Sequence, residues 1–136
     1  MPIHDEDAIR AIFDRDPFAV IGCSSTPGKA AHEVPRYLIE HGYEIIPINP
    51  TVSEIFERPA YDSLGEVEEP IAVVTVFRPS EEVAGIVDSI LERNDVECLW
   101  LQLGIRDADA ITRAEKSGIS VVEDRCMKIE HDRLFD

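Results

Sequence analysis

The sequence predicts a doubly wound α/β domain, with a mostly parallel five-stranded Rossmann-like sheet and helices on both faces. Compact apolar runs, typical of buried parallel strands, alternate along the chain with amphipathic stretches of roughly 10–13 residues. Glycines follow two of these stretches, at Gly42 and Gly118, where helix C-termini are expected. The 136 residues suit one domain with one hydrophobic core, over 1–136.

The elements follow each other in the order that parallel βαβ units require. A short helix is predicted over 5–14. The predicted strands cover 17–22, 43–48, 71–77, 97–102 and 119–123, and the predicted later helices cover 31–41, 81–93 and 107–117, with a final helical turn or two within 126–135. Ser80 is the expected N-cap of the helix 81–93, because its hydroxyl can accept from a free N–H of the first turn. The loop 51–69 is expected to hold a turn or short helix near 61–64.

The charge balance is strongly acidic. The chain has 28 acidic residues against 13 basic ones, and its net charge is −15. The acids are spread along the whole chain, and no basic stripe is present to bind nucleic acid phosphates, so nucleic acid is not an expected partner. We expect a protein adapted to molar salt, where the Debye length falls to about 3 Å and repulsion between carboxylates is screened. The alternative is an ordinary acidic protein.

Other global features narrow the functional classes. No apolar run approaches the roughly 20 residues that span a bilayer, and the acidic N-terminus is unlike a signal peptide, so we expect a cytoplasmic protein away from membranes. The three cysteines, Cys23, Cys98 and Cys126, are far apart and form no CxxC pair. Neither a metal site nor a disulfide framework is therefore expected.

The loop after the first strand has the composition of a phosphate-binding site. Gly22 allows the backbone to turn sharply, Ser24 and Ser25 add hydroxyl groups, and Lys29 precedes a helix whose free N–H groups favour an anion. The alternative is a tight βα turn with a solvated lysine. GxGxxG is absent, and Asn49-Pro50 stands where a dinucleotide-binding protein has an acidic residue, so NAD is disfavoured. Five residues separate Gly22 from Gly28-Lys29, whereas a Walker A loop has four. ATP is therefore disfavoured as well.

Six motifs in order carry a resemblance to a known family. They are Gly22-x-Ser24-x-x-Pro27-x-Lys29, Gly42-Tyr43, Pro47-Ile48-Asn49-Pro50, Val76-Phe77-Arg78-Pro79, Trp100-Leu101-Gln102-Leu103-Gly104-Ile105 and Asp124-Arg125-Cys126. Over 18–134 the chain resembles the small stand-alone CoA-binding domains, which are related to the CoA-binding domain of the succinyl-CoA synthetase α subunit. The resemblance implies a Rossmann-like fold that binds coenzyme A or an acyl-CoA.

The resemblance also implies where the ligand lies. The expected contacts are Gly22, Cys23, Ser24, Ser25 and Lys29 for the phosphates, Asn49 and Pro50 beside the adenosine, Phe77, Arg78 and Pro79 from the next strand end, and Gln102 toward the pantetheine. Arg78 offers a planar fork for phosphate. Arg106 and Arg125 either add to this positive field or form surface ion pairs. Trp100 is expected in the core.

No catalytic residues are predicted. The second-domain histidine of succinyl-CoA synthetases has no counterpart here, His32 is more typical of a partly exposed helix surface, and Cys126 near His131 lacks an identifiable oxyanion donor or orienting acid. We therefore expect a non-catalytic module that binds or senses CoA. The alternatives are an enzyme or detached subunit acting on a CoA thioester and, less favoured, an NAD(P)-binding protein. The sequence leaves a protein partner or a homodimer open.

Overall fold

Five parallel strands form the central sheet in the computed structural model of the protein, which describes residues 1–135. Those five strands are β1 (Phe18–Ile21), β2 (Ile45–Ile48), β5 (Val73–Val76), β6 (Cys98–Leu101) and β7 (Ser120–Val122). Two shorter strands, β3 (Glu54–Ile55) and β4 (Arg58–Pro59), form a separate antiparallel pair. The sheet order is β2-β1-β5-β6-β7, with every neighbouring pair parallel. The chain therefore changes direction across the sheet between β1 and β5, and the predicted fold class is confirmed.

Helices cover both faces of this sheet. They are α1 (Glu6–Ile12), α2 (Ala30–Glu40), α3 (Val83–Leu91), α4 (Ala108–Lys116) and α5 (Met127–Phe135). α1, α2 and α5 pack on one face and α3 and α4 on the other. No helix among residues 1–135 is long and apolar enough to cross a membrane.

The strands are buried on both sides, which explains why they are apolar without alternation. Along β1, Phe18 and Val20 pack toward α1, α2 and α5, whereas Ala19 belongs to the core under α3 and α4. Trp100 in β6 is fully buried, and its indole N–H donates to the Arg125 carbonyl at 2.8 Å. Its expected place in the core is confirmed, and its one polar atom is satisfied.

One local expectation is corrected, and one local element was not expected. Ser80 does not cap a helix over 81–93: a 3₁₀ turn covers Ser80–Glu82, α3 begins at Val83, and the Ser80 hydroxyl accepts from the Arg106 N–H at 2.9 Å instead. The small antiparallel pair β3–β4 was not predicted. Its turn uses Phe56 and Glu57 at φ of 57° and 62°, without the glycine or asparagine that usually marks such a turn. The turn or short helix expected near 61–64 is present as a 3₁₀ turn at Leu64–Glu66.

Candidate functional site

A cleft of about 700 Å³ opens at the carboxyl ends of β1, β2 and β5. This is where a doubly wound sheet places its ligand, since the chain leaves β1 and β5 in opposite directions and their loops separate. Four of the predicted ligand residues line it: Gly22, Asn49, Pro50 and Arg78. The other walls come from α3 and from the segment before the first 3₁₀ turn, with Asp62, Ser63, Gly85, Ile86 and Ser89 among the lining residues.

Gly22 lines this cleft at the end of β1. Its φ is +83°, a left-handed conformation that side chains disfavour. A Cβ atom at Gly22 would lie 2.8 Å from Arg78 Cδ and 3.2 Å from the Phe77 carbonyl oxygen. Glycine is therefore required at this position for two reasons. The backbone adopts a positive φ, and a side chain would collide with Arg78.

Arg78 lies over Gly22 and is held by Glu82. Its Nε donates to the two carboxylate oxygens of Glu82 at 3.1 and 3.2 Å, and its Nη2 donates to Oε2 at 2.6 Å. Both side chains are about half exposed, at 47% and 44%. The hydrogen bond from Arg78 lowers the pKa of Glu82, and the same bond raises the pKa of Arg78. The guanidinium thus stands at the mouth of the cleft with a carboxylate as its present partner.

Cys23 and Asn49 join the loop to the end of β2. The Cys23 thiol is fully buried, and burial raises its pKa to about 12, so it packs in the core rather than facing the cleft. Its expected contact with the ligand stays a prediction, and with the thiol buried it would have to be made by the Cys23 backbone. The Cys23 carbonyl accepts from Asn49 Nδ2 at 2.9 Å, and Asn49 Oδ1 accepts from the Thr51 N–H at 2.8 Å. Asn49 therefore fixes the shape of the cleft floor.

The rest of the loop leads to the N-terminus of α2 and leaves one cation uncommitted. Lys29 is exposed and has no ion-pair partner within residues 1–135. Ser24 Oγ accepts from the Thr26 N–H at 3.0 Å, while Ser25 is exposed. The Gly28 N–H donates to Glu33 Oε2 at 3.2 Å, so a carboxylate already occupies one loop donor. These residues stand beside the cleft and not in its lining.

Gln102 has a structural position instead of a cleft position. It is buried, its Nε2 donates to Thr75 Oγ1 at 2.6 Å, and its Oε1 accepts from the Met127 N–H at 3.1 Å. Both ends of the amide are used in joining β5, β6 and α5. The expected contact of Gln102 with pantetheine stays a prediction. Phe77 is half-buried beside the core and Pro79 is exposed, and neither lines the cleft.

The remaining candidates lie elsewhere and are engaged. Arg106 pairs with Asp124, which confirms the ion-pair alternative for Arg106. Arg125 also forms an ion pair, but at 3.1 Å with Glu130, a buried residue that the sequence did not indicate as its partner. His32 Nδ1 is 2.7 Å from Glu33 Oε2.

His131 lies close to α2, where the Tyr37 hydroxyl is 2.8 Å from its Nδ1. The bond links α5 to α2. No group of three His, Cys, Asp or Glu side chains in the part of the chain that the structure describes is placed to hold a metal ion.

Sequence reasoning missed the contribution of α3 to the site. Gly85 and Ser89 are four residues apart and therefore share one helix face, and both line the cleft. Small residues at that spacing leave a groove along the helix. The spacing was visible in the sequence, but which face of α3 meets the strand ends depends on how the helix packs on the sheet.

The sheet order and the cleft define the class: a doubly wound α/β protein with a cleft at its topological switch point. The sequence model of the CoA binding domain family matches residues 16–132. The chain belongs to this family.

Three comparisons illustrate the relationship. The uncharacterized protein YneT of Bacillus subtilis (strain 168) is 38% identical over 113 residues, which are 83% of each chain. The solved structure of cell-free ID.343 from Thermus thermophilus is 36% identical, with a TM-score of 0.91, and the match covers 97% of this chain and 100% of that one. The ADP-forming acetate–CoA ligase of Methanocaldococcus jannaschii is 33% identical over 70 residues, which are 52% of this chain but 10% of the ligase.

Proposed function

We propose that the protein binds coenzyme A or an acyl-CoA in the cleft at the ends of β1, β2 and β5. The observation that carries the proposal is the position of Arg78 over Gly22 at the topological switch point, in a chain of the CoA binding domain family. A cleft of about 700 Å³ falls within the range of small-molecule sites, roughly 300–1,000 Å³. Its size and place suit an extended nucleotide-linked ligand.

The chemistry of the residues supports an anionic ligand. Arg78 can form two parallel hydrogen bonds to one phosphate, and Lys29 adds a mobile charge at the start of α2. The first-turn N–H groups of α2 favour an anion at the same place. CoA carries a pyrophosphate and a 3′-phosphate, so it needs several such donors on a protein whose net charge is −15.

We propose a binding or sensing module without a reaction of its own. No nucleophile with an orienting base lines the cleft in residues 1–135: the Cys23 thiol is buried, and Tyr37, not Cys126, is hydrogen-bonded to His131. The second candidate is a detached subunit that acts on a CoA thioester together with a partner. The likeness to part of an acetate–CoA ligase favours it, because the matched segment is only 10% of that larger protein.

Isothermal titration calorimetry tests the binding proposal. Saturable binding of CoA is expected, with weaker binding of dephospho-CoA, NAD and ATP. Lys29→Ala should weaken CoA binding about tenfold through loss of a charged contact of about 1.4 kcal/mol. The matched control is Lys116→Ala at the C-terminal end of α4, which removes an equal charge far from the cleft. Binding of NAD or ATP without binding of CoA would contradict the proposal.

Activity assays separate the two candidates. The module predicts bound CoA with no product formed when acetyl-CoA, ADP and phosphate are supplied together. The detached subunit predicts turnover once the partner domain is added. Thioester cleavage or ATP formation by the isolated chain would contradict a module without a reaction of its own.

We further propose that the protein works in a salt-rich cytoplasm. Only Glu130 is buried among the acidic residues in 1–135, so nearly all of the negative charge is at the surface, where repulsion is strong in dilute buffer. The free energy of unfolding should therefore rise between about 0.1 M and about 2 M KCl as the Debye length shortens. An unchanged free energy of unfolding over that range would contradict this proposal.

A further inference from the structure

The cation at the mouth of the cleft already has an anion as its partner in the free protein. Three N–H···O contacts of 2.6 to 3.2 Å join the Arg78 guanidinium to the Glu82 carboxylate. The fork that Arg78 presents to Glu82 is the same fork that arginine uses for a phosphate group. A ligand phosphate and the Glu82 carboxylate therefore compete for one set of donors.

The Arg78–Glu82 pair is placed so that it can open. Both side chains are about half exposed, and such ion pairs are weak because water solvates each partner when they separate. The Glu82 carboxylate has no hydrogen-bond donor other than Arg78 within residues 1–135, so its release leaves no buried group unsatisfied.

The pair Arg93–Asp95 is a contrasting case in the same molecule. Its side chains are only 14% and 25% exposed. Asp95 also accepts from the Ile71 N–H, and Arg93 also donates to the carbonyls of Leu64 and Val67. Opening that pair would break several backbone contacts at once, which identifies it as structural and the pair at the cleft as exchangeable.

We propose that Glu82 is an internal competitor that occupies Arg78 in the free protein and yields it to a phosphate group of the ligand, a role that rests on the proposed function. Glu82 thereby selects for ligands by charge. A phosphate can carry two negative charges and more acceptor oxygens than a carboxylate, so it displaces Glu82 where a singly charged carboxylate does not.

Release of Glu82 has a second observable consequence. In the free protein the hydrogen bond from Arg78 holds the pKa of Glu82 below its ordinary value. When a ligand phosphate takes that guanidinium, the pKa of Glu82 rises, since its positive partner is replaced by a nearby negative group. A carbon-13 titration of the Glu82 carboxyl, with and without saturating CoA, measures this change directly.

The main test is CoA binding to Glu82→Gln with Glu81→Gln as its matched control. Glu81 is the preceding residue and lines the same cleft, so the two variants remove equal charge at nearly the same place, but Glu81 does not bond Arg78. Glu82→Gln should tighten CoA binding about threefold more than Glu81→Gln does, the equivalent of a weak exposed ion pair. In an Arg78→Met background the difference between the two variants should disappear.

The outcomes separate this role from the proposed function. Equal changes in the two variants, or a Glu82 carboxyl whose pKa does not rise on CoA saturation, overturn the competitor role while CoA binding by the unaltered chain stands. If neither the unaltered chain nor Glu82→Gln binds CoA, both proposals fail. Circular dichroism and the unfolding midpoint confirm that each variant is folded.

Discussion

Two groups of strand ends, on the same edge of the sheet, use arginine in different ways. At the switch-point cleft, Arg78 has one carboxylate partner and Lys29 has none within residues 1–135. At the ends of β6 and β7, which we call the far strand ends, Arg106 and Arg125 pair with Asp124 and Glu130.

The difference lies in what else the partner carboxylates hold. Asp124 Oδ1 also accepts from the Gly104 N–H at 2.7 Å, and Glu130 is buried and bonds Arg133 as well as Arg125. Arginines in such networks hold loops in place, and their release would leave other groups unpaired. The comparison shows which arginines at strand ends are candidates for binding a ligand. They are those whose carboxylate partner makes no other hydrogen bond.

The largest expected effect is on stability, at Gln102 in the far strand ends. Gln102→Leu leaves the Thr75 hydroxyl and the Met127 N–H without their partner in a buried place, which should cost about 2–4 kcal/mol of unfolding free energy. Urea unfolding of Gln102→Leu and of the unaltered chain measures this difference in unfolding free energy. CoA affinity of the folded variant should not change, and a strong loss of affinity would return Gln102 to the ligand site.

Next come two glycines that share a left-handed conformation, one in each region. Gly22→Ala should lose about 2 kcal/mol of unfolding free energy, because strain at φ of +83° adds to crowding against Arg78 and Phe77.

Gly104→Ala is the matched control, with φ of +81° and no atom within 4 Å of the added Cβ. It should lose only about 1 kcal/mol, the cost of the backbone strain. Equal losses in the two variants would mean that the space above Gly22 is less tightly filled than the structure has it.

The two arginines offer a direct test of the comparison in ligand binding. Arg78→Met should weaken CoA binding about tenfold, since it removes the guanidinium from the cleft and keeps much of the side-chain volume. Arg106→Met removes the same charge from the far strand ends and should change CoA affinity less than twofold. Calorimetry at one fixed salt concentration measures both, and equal losses would point to a general charge effect.

The smallest effect is a pH dependence at Asp124. Hydrogen bonds from the Gly104 N–H and then from Arg106 lower its pKa from the ordinary value of 3.8. The stability that this carboxylate contributes is present above about pH 4 and is lost as the pH falls through the lowered pKa. Asp124→Asn should therefore be less stable at pH 7, and the difference should shrink toward pH 2. If Asp124→Asn is destabilised as much at pH 2 as at pH 7, the loss of stability does not come from the charge of Asp124.

Much of the fold could be predicted because its signals are local. Each signal involves only a few neighbouring residues. Examples are the apolar runs at β1, β5 and β6 and the glycines that follow α2 and α4. Gly22, Asn49 and Arg78 could be placed together because parallel strands end at one edge.

The rest depends on tertiary partners. The Ser80 hydroxyl bonds Arg106 from a distant loop, Gln102 turns inward to Thr75, and the Cys23 thiol points into the core. Spacing along the chain does not record which way such a side chain turns. The same holds for Gly85 on α3, whose place in the cleft wall follows from how the helix lies on the sheet.

The central claim, that the ligand lies at the switch point, is tested most directly by backbone amide NMR during a CoA titration. Gly22 and Gly104 provide one glycine signal in each region. The claim predicts saturable shifts at Gly22, Asn49 and Arg78, with Gly104 and Arg125 unmoved. Saturable shifts centred on Gly104 and Arg125, with Gly22 unchanged, would contradict it.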